Sequence, residues 1–253
     1  LLAAAVLVLA GKLCLVTNMF LAAKQFNMLL GWKDCYCIYN LTQLAKYIPG
    51  SIWQFIGRFS ILYERGFAKS IIRNSILAEH FWIVGSALFI SCVLIFSSIQ
   101  DFFSTKLVGI SIWMPNIIVI TLILILPFIF IRHRVYRWLL IMLPPLQVIP
   151  ILILIWFFLG SSLWVTLEPF TISSPSILYI IGLYCFAYAA GFVVPFAPAG
   201  IGIREAILTF GLMPYITVDV AVLLVTVNRA IYFLIELAVA LFCLSPKKNK
   251  VES

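Results

Sequence analysis

The sequence predicts an all-α polytopic membrane protein, with about six membrane-spanning helices and two re-entrant broken-helix segments in a single transmembrane domain. Of 253 residues, 64% are hydrophobic and only 10% charged, and a mean hydropathy of +1.15 excludes a water-soluble domain. Apolar runs cover residues 1–23, 76–98, 111–131, 138–167, 177–197 and 217–243, each near the roughly 20 residues needed to cross a 30 Å hydrocarbon core. The runs are continuously apolar, without the in–out alternation of barrel strands. Little is left over for a soluble catalytic domain.

The first run opens Leu1-Leu-Ala-Ala-Ala with neither an initiator methionine nor a basic leader region. It reads as a span entered midway and not as a signal peptide, so the natural N-terminus is expected upstream. In the fourth run, Pro144, Pro145 and Pro150 each remove a backbone donor, which predicts a kink or division near its start.

Seventeen Lys and Arg against nine Asp and Glu give a net charge of +8, and their placement points to anionic lipid and away from nucleic acid. Lys24, Lys33 and Lys46 follow the first span, Arg65, Lys69 and Arg73 precede the second, Arg132, Arg134 and Arg137 join the third to the fourth, and Lys247, Lys248 and Lys250 lie in the tail. The opposite loops hold Asp101 with Lys106, Glu168 and Asp219. Twelve basic residues against one predict a plasma-membrane protein with a cytoplasmic C-terminus. Parity then requires residues 24–75 to leave and return on the cytoplasmic side, although 41–62 are apolar enough to enter the bilayer.

That stretch contains Lys46-Tyr-Ile-Pro49-Gly50-Ser51-Ile-Trp53 followed by Gly57-Arg58. Pro49-Gly50 stops one helix and Ser51 suits the N-cap of the next, which predicts a re-entrant hairpin. A second break is expected at Pro195-Phe-Ala-Pro198-Ala-Gly200-Ile-Gly202-Ile-Arg204-Glu205, with a second re-entrant segment over 195–213. The two would enter from opposite faces, in the manner of a degenerate inverted repeat.

Non-helical backbone at membrane depth persists only where protein or a water-filled cavity satisfies its amides, so each break marks a cavity. The following helix offers N–H groups and a positive dipole end to an anion. Gly200 and Gly202 permit close approach, and Arg204 supplies a planar, permanently charged fork suited to phosphate oxygens. Arg58, seven residues beyond Ser51, either serves the cavity or snorkels to the interface.

Arg229, near the middle of the last span, costs about 2.5–3.5 kcal/mol to insert and so must find an acceptor within the bundle. Glu236 shares its face but lies about 10 Å further along, which points Glu236 to a partner on another helix. Glu205 can reach Arg229, or Glu79 in the second span can meet an arginine. Trp113, Trp138, Trp164 and Tyr136 fall near span ends as interfacial anchors; Trp53 packs or lines the first break. Six scattered cysteines and the separated His80 and His133 have no ligand spacing, so neither metal nor cofactor is expected.

The run 46–58 and, more specifically, Gly200-Ile-Gly-Ile-Arg-Glu205 resemble the lysylphosphatidylglycerol synthase transmembrane family of flippase-like integral membrane proteins. Glu79 and Arg229 also fall where that family tends to carry charge, and the similarity extends over nearly the whole chain. It implies a helical bundle with re-entrant segments. In two-domain members this module moves aminoacylated phospholipid between leaflets after a soluble domain has made it. With the sequence ending Val251-Glu-Ser253, the expectation is a stand-alone member without that aminoacyltransferase domain.

The resulting expectation is a flippase-like protein for an anionic phospholipid or a polyprenyl-phosphate-linked glycolipid. Arg204 with the amides of Gly200 and Gly202 would hold the headgroup. Arg229, Glu205, Glu79, Glu236 and Arg58, with the first break at Pro49, Gly50 and Ser51, would line or gate the path. Two rivals use the same residues: a membrane-embedded transferase with Glu205 or Glu79 as base, and an accessory partner of a glycosyltransferase in surface polysaccharide or glycolipid synthesis.

Overall fold

The computed structural model describes residues 1–50, 52–106, 141–170, 175–194 and 197–244, with side chains throughout except in 96–106. Among these residues the chain forms α-helices joined by turns and short 3-10 segments, and no strand. The helices are α1 (Leu2–Gln25), α2 (Trp32–Gln43), α3 (Trp53–Glu64), α4 (Lys69–Lys106), α5 (Ile149–Leu167), α6 (Ile177–Val193), α7 (Ile203–Leu212) and α8 (Val218–Leu244). Four stretches are long and apolar enough to cross a membrane: Leu2–Gln25, Lys69–Ile95, Leu146–Phe170 and Val218–Leu244.

The distribution of side chains is that of a protein dissolved in lipid. Phe89, Phe210, Leu234 and Phe242 are exposed, while Lys12, Arg58, Glu79, Asn228 and Glu236 are buried. In water this arrangement would strand charge inside and oil outside; in acyl chains both groups are satisfied.

The prolines act where the sequence placed them. Pro145 is extended, Leu146–Val148 forms a 3-10 turn, and α5 begins only at Ile149 with Pro150 in its first turn, where a missing N–H costs nothing. Helix α6 is 17 residues long and stops at Val193, earlier than the expected end at 197. Val194 takes an extended conformation because a residue before proline is disfavoured in the helical region. The expected third span (111–131), the loop arginines Arg132, Arg134 and Arg137, the tail lysines, His133, Trp113, Trp138 and Tyr136 lie outside the described residues.

Helix α1 packs along α5, α4 along α6, and α5 against α6, while α7 and α8 close the bundle beside α1 and α6. Small residues set the closest approaches. A Cβ on Gly160 would stand 2.7 Å from the Ile181 Cα, and one on Gly182 2.9 Å from the Leu94 Cβ, the close backbone contact favoured where burial from water drives nothing. Polar side chains join the same helices: Trp156 Nε1 donates to Ser86 Oγ at 2.9 Å, and Asn228 Nδ2 to Ser162 Oγ at 3.3 Å.

Gly160→Ala is expected to lower the melting temperature in detergent by several degrees, since its new methyl meets backbone across the α5–α6 contact. Gly85→Ala, where nothing lies within 4 Å of the added Cβ, should leave it unchanged or raise it. Scanning fluorimetry of the two variants makes the comparison, and equal losses would show that the Gly160 contact is not what holds α5 on α6.

Candidate functional site

Both breaks expected from the sequence are present, and they touch. After α2 the chain tightens into a 3-10 turn over Leu44–Tyr47, Ile48 becomes extended ahead of Pro49, and Gly50 takes φ +107°. Trp53 Nε1 donates to the Pro49 carbonyl at 3.0 Å, which returns one freed acceptor to a partner. The N-cap position of α3 is Ile52, without a side-chain cap, in place of the expected Ser51, which lies outside the described residues. In the second break Ala197 is extended and a 3-10 turn covers Pro198–Gly200, with Ala199 at φ +52° and Gly200 at φ +71°. The two 3-10 turns are in contact.

Two ion clusters hold these turns. Glu236 on α8, fully buried, accepts from Lys12 Nζ at 2.6 Å, Lys46 Nζ at 2.9 Å and Tyr47 Oη at 2.9 Å, so it ties α1 and the first turn to α8. Lys46 also sits 5.0 Å from the Tyr232 ring centre, and Lys12 5.7 Å from that of Tyr39, where the aromatic faces add attraction for the cations. Two turns earlier on α8, Arg229 Nε contacts Glu205 Oε1 at 2.8 Å and Nη2 donates to the Ala199 carbonyl at 3.2 Å. Ala199 is a side-chain-bearing residue in the left-handed region, which costs about 1–2 kcal/mol; the guanidinium bond fixes that conformation. Glu205 also accepts the Gly202 N–H through Oε2 at 2.6 Å, capping α7.

Arg58 does not snorkel. It is 2% exposed, its Nη1 meets Glu79 Oε2 at 2.6 Å, and its guanidinium lies 5.0 Å from the Tyr39 ring centre. Both acceptors that the sequence left open for its arginines are in use, Glu205 by Arg229 and Glu79 by Arg58.

Arg204 differs from the other buried cations. Its guanidinium stacks 4.3 Å over Tyr188, yet no carboxylate pairs with it among the described residues, and its Nε is buried without an acceptor. The side chain threads between two glycines: a Cβ on Gly191 would stand 2.6 Å from the Arg204 Cγ, and one on Gly200 2.8 Å from its Nε. The cavity beside it has a volume of about 180 Å³. Lys46 and Arg204 both line it, with Tyr39, Gln43, Gln54, Tyr188 and Tyr232, and among the described residues no Asp or Glu does. It lies between the two breaks, with Gly50 on one side and Ala197, Ala199 and Gly200 on the other.

Of the residues singled out from sequence, Gly50, Gly200 and Arg204 line this cavity, while Glu79, Glu205, Arg229, Arg58 and Glu236 stand behind or beside it as ion-paired supports. Pro49 and Gly202 belong to the breaks without lining it, and neither does Trp53, which is 45% exposed. Sequence reasoning missed Lys12 as a member of the site, although a lone lysine within an apolar span is itself a signal. It also missed the tyrosines Tyr39, Tyr47, Tyr188 and Tyr232, which no spacing distinguishes from interfacial anchors. No protein-family model matches this chain, and no curated protein matches it.

Glu236→Gln leaves two buried ammonium groups facing a neutral amide, for which a loss of about 3–5 kcal/mol is expected. Lys12→Met should cost less, because Lys46 still neutralises Glu236. Thermal unfolding followed by tryptophan fluorescence ranks the two, and a larger loss in Lys12→Met would remove Glu236 as the organising charge.

Proposed function

We propose that this chain is a flippase-like integral membrane protein that carries the headgroup of an anionic phospholipid or polyprenyl-phosphate-linked glycolipid across the bilayer. The observation that carries the reading is the cavity between the breaks, lined by Lys46 and Arg204 and, among the described residues, by no carboxylate. Among the described residues, five cations stand around it, Lys12, Lys46, Arg58, Arg204 and Arg229, against three carboxylates, Glu79, Glu205 and Glu236. Five against three leaves two positive charges to be met by an anion or by water. A bound phosphate supplies that charge, and the planar fork of Arg204 can offer it two parallel N–H donors.

In this reading the two broken segments are re-entrant, the chain makes about six crossings of a plasma membrane with its C-terminus in the cytoplasm, and it belongs with the lysylphosphatidylglycerol synthase transmembrane proteins it resembles. A headgroup leaving water loses its hydration. Here it exchanges that shell for Arg204, Lys46 and the tyrosine hydroxyl and amide groups of the lining, so the barrier to crossing falls without any covalent step. The transferase alternative needs a carboxylate at the cavity, and neither Glu79 nor Glu205 lines it. Glu205 is committed to Arg229 and to the α7 cap.

Reconstituted into vesicles with trace fluorescent phosphatidylglycerol, the protein is expected to expose inner-leaflet probe to dithionite faster than empty vesicles do. Arg204→Ala should slow this about tenfold or more, equivalent to about 1.4 kcal/mol in the barrier, and Gly191→Ala should approach that loss by displacing the same side chain without removing its charge. Wild-type rates equal to those of empty vesicles, for phosphatidylglycerol and for a polyprenyl phosphate alike, would sink the proposal.

A further inference from the structure

The cavity at Arg204 is too small for a whole lipid. Its volume of about 180 Å³ has room for several waters or a small headgroup. The acyl chains of any lipid bound there must lie elsewhere, and a second depression adjoins it. Between α3 and α4 runs an open groove of about 1030 Å³, walled by Ile56, Phe59, Ile76, Leu77, Phe81 and Val84. It follows α4 from Lys69 to Val84, fifteen residues or roughly 22 Å at 1.5 Å per residue.

The groove is mostly apolar; beside Ser60 and His80, its polar lining is Lys69, Ser70 and Arg73, which stand together in the first turns of α4. Lys69 Nζ lies 5.2 Å from the Tyr63 ring centre, and among the described residues Arg73 donates to the neighbouring Asn74 Oδ1 alone. Neither has a carboxylate partner among the described residues. A long oily trough ending in two uncompensated cations and a hydroxyl matches an amphiphile with one anionic end.

Groove and cavity share three residues, Phe55, His80 and Phe192. Their rings form a partition, with centres 4.7 Å apart for Phe55–His80 and 5.8 Å for His80–Phe192. The partition is made of side chains and not of backbone, so rotamer changes of the two phenylalanines would open it. His80 Nδ1 is 2.8 Å from the Ile76 carbonyl, which fixes the ring on α4 and places the one polar ring of the three between the two spaces.

We infer that the α3–α4 groove is the docking site of an anionic phospholipid from the surrounding bilayer, its headgroup on Lys69 and Arg73 and a chain along Phe59, Leu77 and Phe81. The Phe55–His80–Phe192 partition is the lateral doorway from that site to Arg204. The inference rests on the transport reading for the role of the doorway, but the docking site can be tested without it.

The test uses the full chain in phosphatidylcholine vesicles carrying a trace of either phosphatidylglycerol or phosphatidylcholine with a diazirine at mid-chain. After photolysis, adducts are mapped by mass spectrometry to peptides from 53–64 and 69–84. Several-fold more phosphatidylglycerol than phosphatidylcholine adduct is expected there. The excess should vanish in the Lys69→Ala/Arg73→Ala double variant and persist in Lys69→Arg and in Arg204→Ala. Both basic residues are exposed, so the double variant should fold, and an unchanged melting temperature checks this. Equal labelling by the two lipids, or an excess indifferent to the double substitution, would reduce the groove to ordinary lipid-facing surface and overturn the inference. Lipid movement measured in the same vesicles keeps the two ideas apart: selective labelling without movement retains the docking site and removes the flippase, and movement without selective labelling does the reverse.

Discussion

A charge buried among apolar helices must be met by another charge, and the architecture of this protein depends on how α8 meets that demand. Glu236 and Arg229 lie seven residues apart on one face of that helix, about 10 Å along its axis. The first binds Lys12, Lys46 and Tyr47, and so fixes the break after α2. The second binds Glu205 and the Ala199 carbonyl, and so fixes the break before α7. One helix thereby holds both interruptions of the backbone at a set separation, and the space between them is the cavity. The Glu236 cluster joins segments about 190 to 224 residues apart in sequence, whereas the Arg229 cluster joins the neighbouring α7 and α8.

The same accounting explains why Arg204 stands out. Arg58 and Arg204 each follow a proline–glycine break, yet they have different fates. Arg58 comes five residues into α3 and is spent on Glu79 beneath Tyr39. Arg204 occupies the second position of α7, next to the break itself, where Gly191 and Gly200 leave it a channel and Tyr188 supports its plane. Tyrosine offers a face for the cation without cancelling its charge. The charge stays available to a ligand, which a neighbouring glutamate would have prevented.

Much of this was legible in the sequence because proline, glycine and intramembrane charge are local signals. Pro49-Gly50 and the 195–205 motif announced both breaks, the Pro144–Pro150 cluster delayed α5, and Glu236 could be assigned a partner on another helix from its distance to Arg229. What stayed hidden was pairing across the bundle. Lys12 sits in a span whose other residues are bland, and nothing in its neighbourhood names Glu236, 224 positions away. The aromatic supports were equally silent, since Tyr188 on α6 and Tyr232 on α8 become part of a site only where both helices reach the cavity. The helix boundaries shifted for local reasons: α2 begins at Trp32, earlier than the expected hairpin start, and α6 ends at Val193 because Pro195 follows two residues on.

In the proposed transport reading, the partition between the two recesses answers the chemistry of an amphiphile. A headgroup and its chains differ by many kcal/mol in what surrounds them comfortably, so no single pocket serves both. A small polar chamber beside a long apolar trough resolves the conflict if the wall between them is movable. Phe55, His80 and Phe192 make up the wall: rings from α3, α4 and α6, with His80 in contact with each of the other two, that line both spaces. Phe55 lies three residues before Arg58 on α3, and His80 directly follows Glu79 on α4. The Arg58–Glu79 bond therefore clamps two of the three helices that carry the wall, α3 and α4, while Phe192 comes from α6.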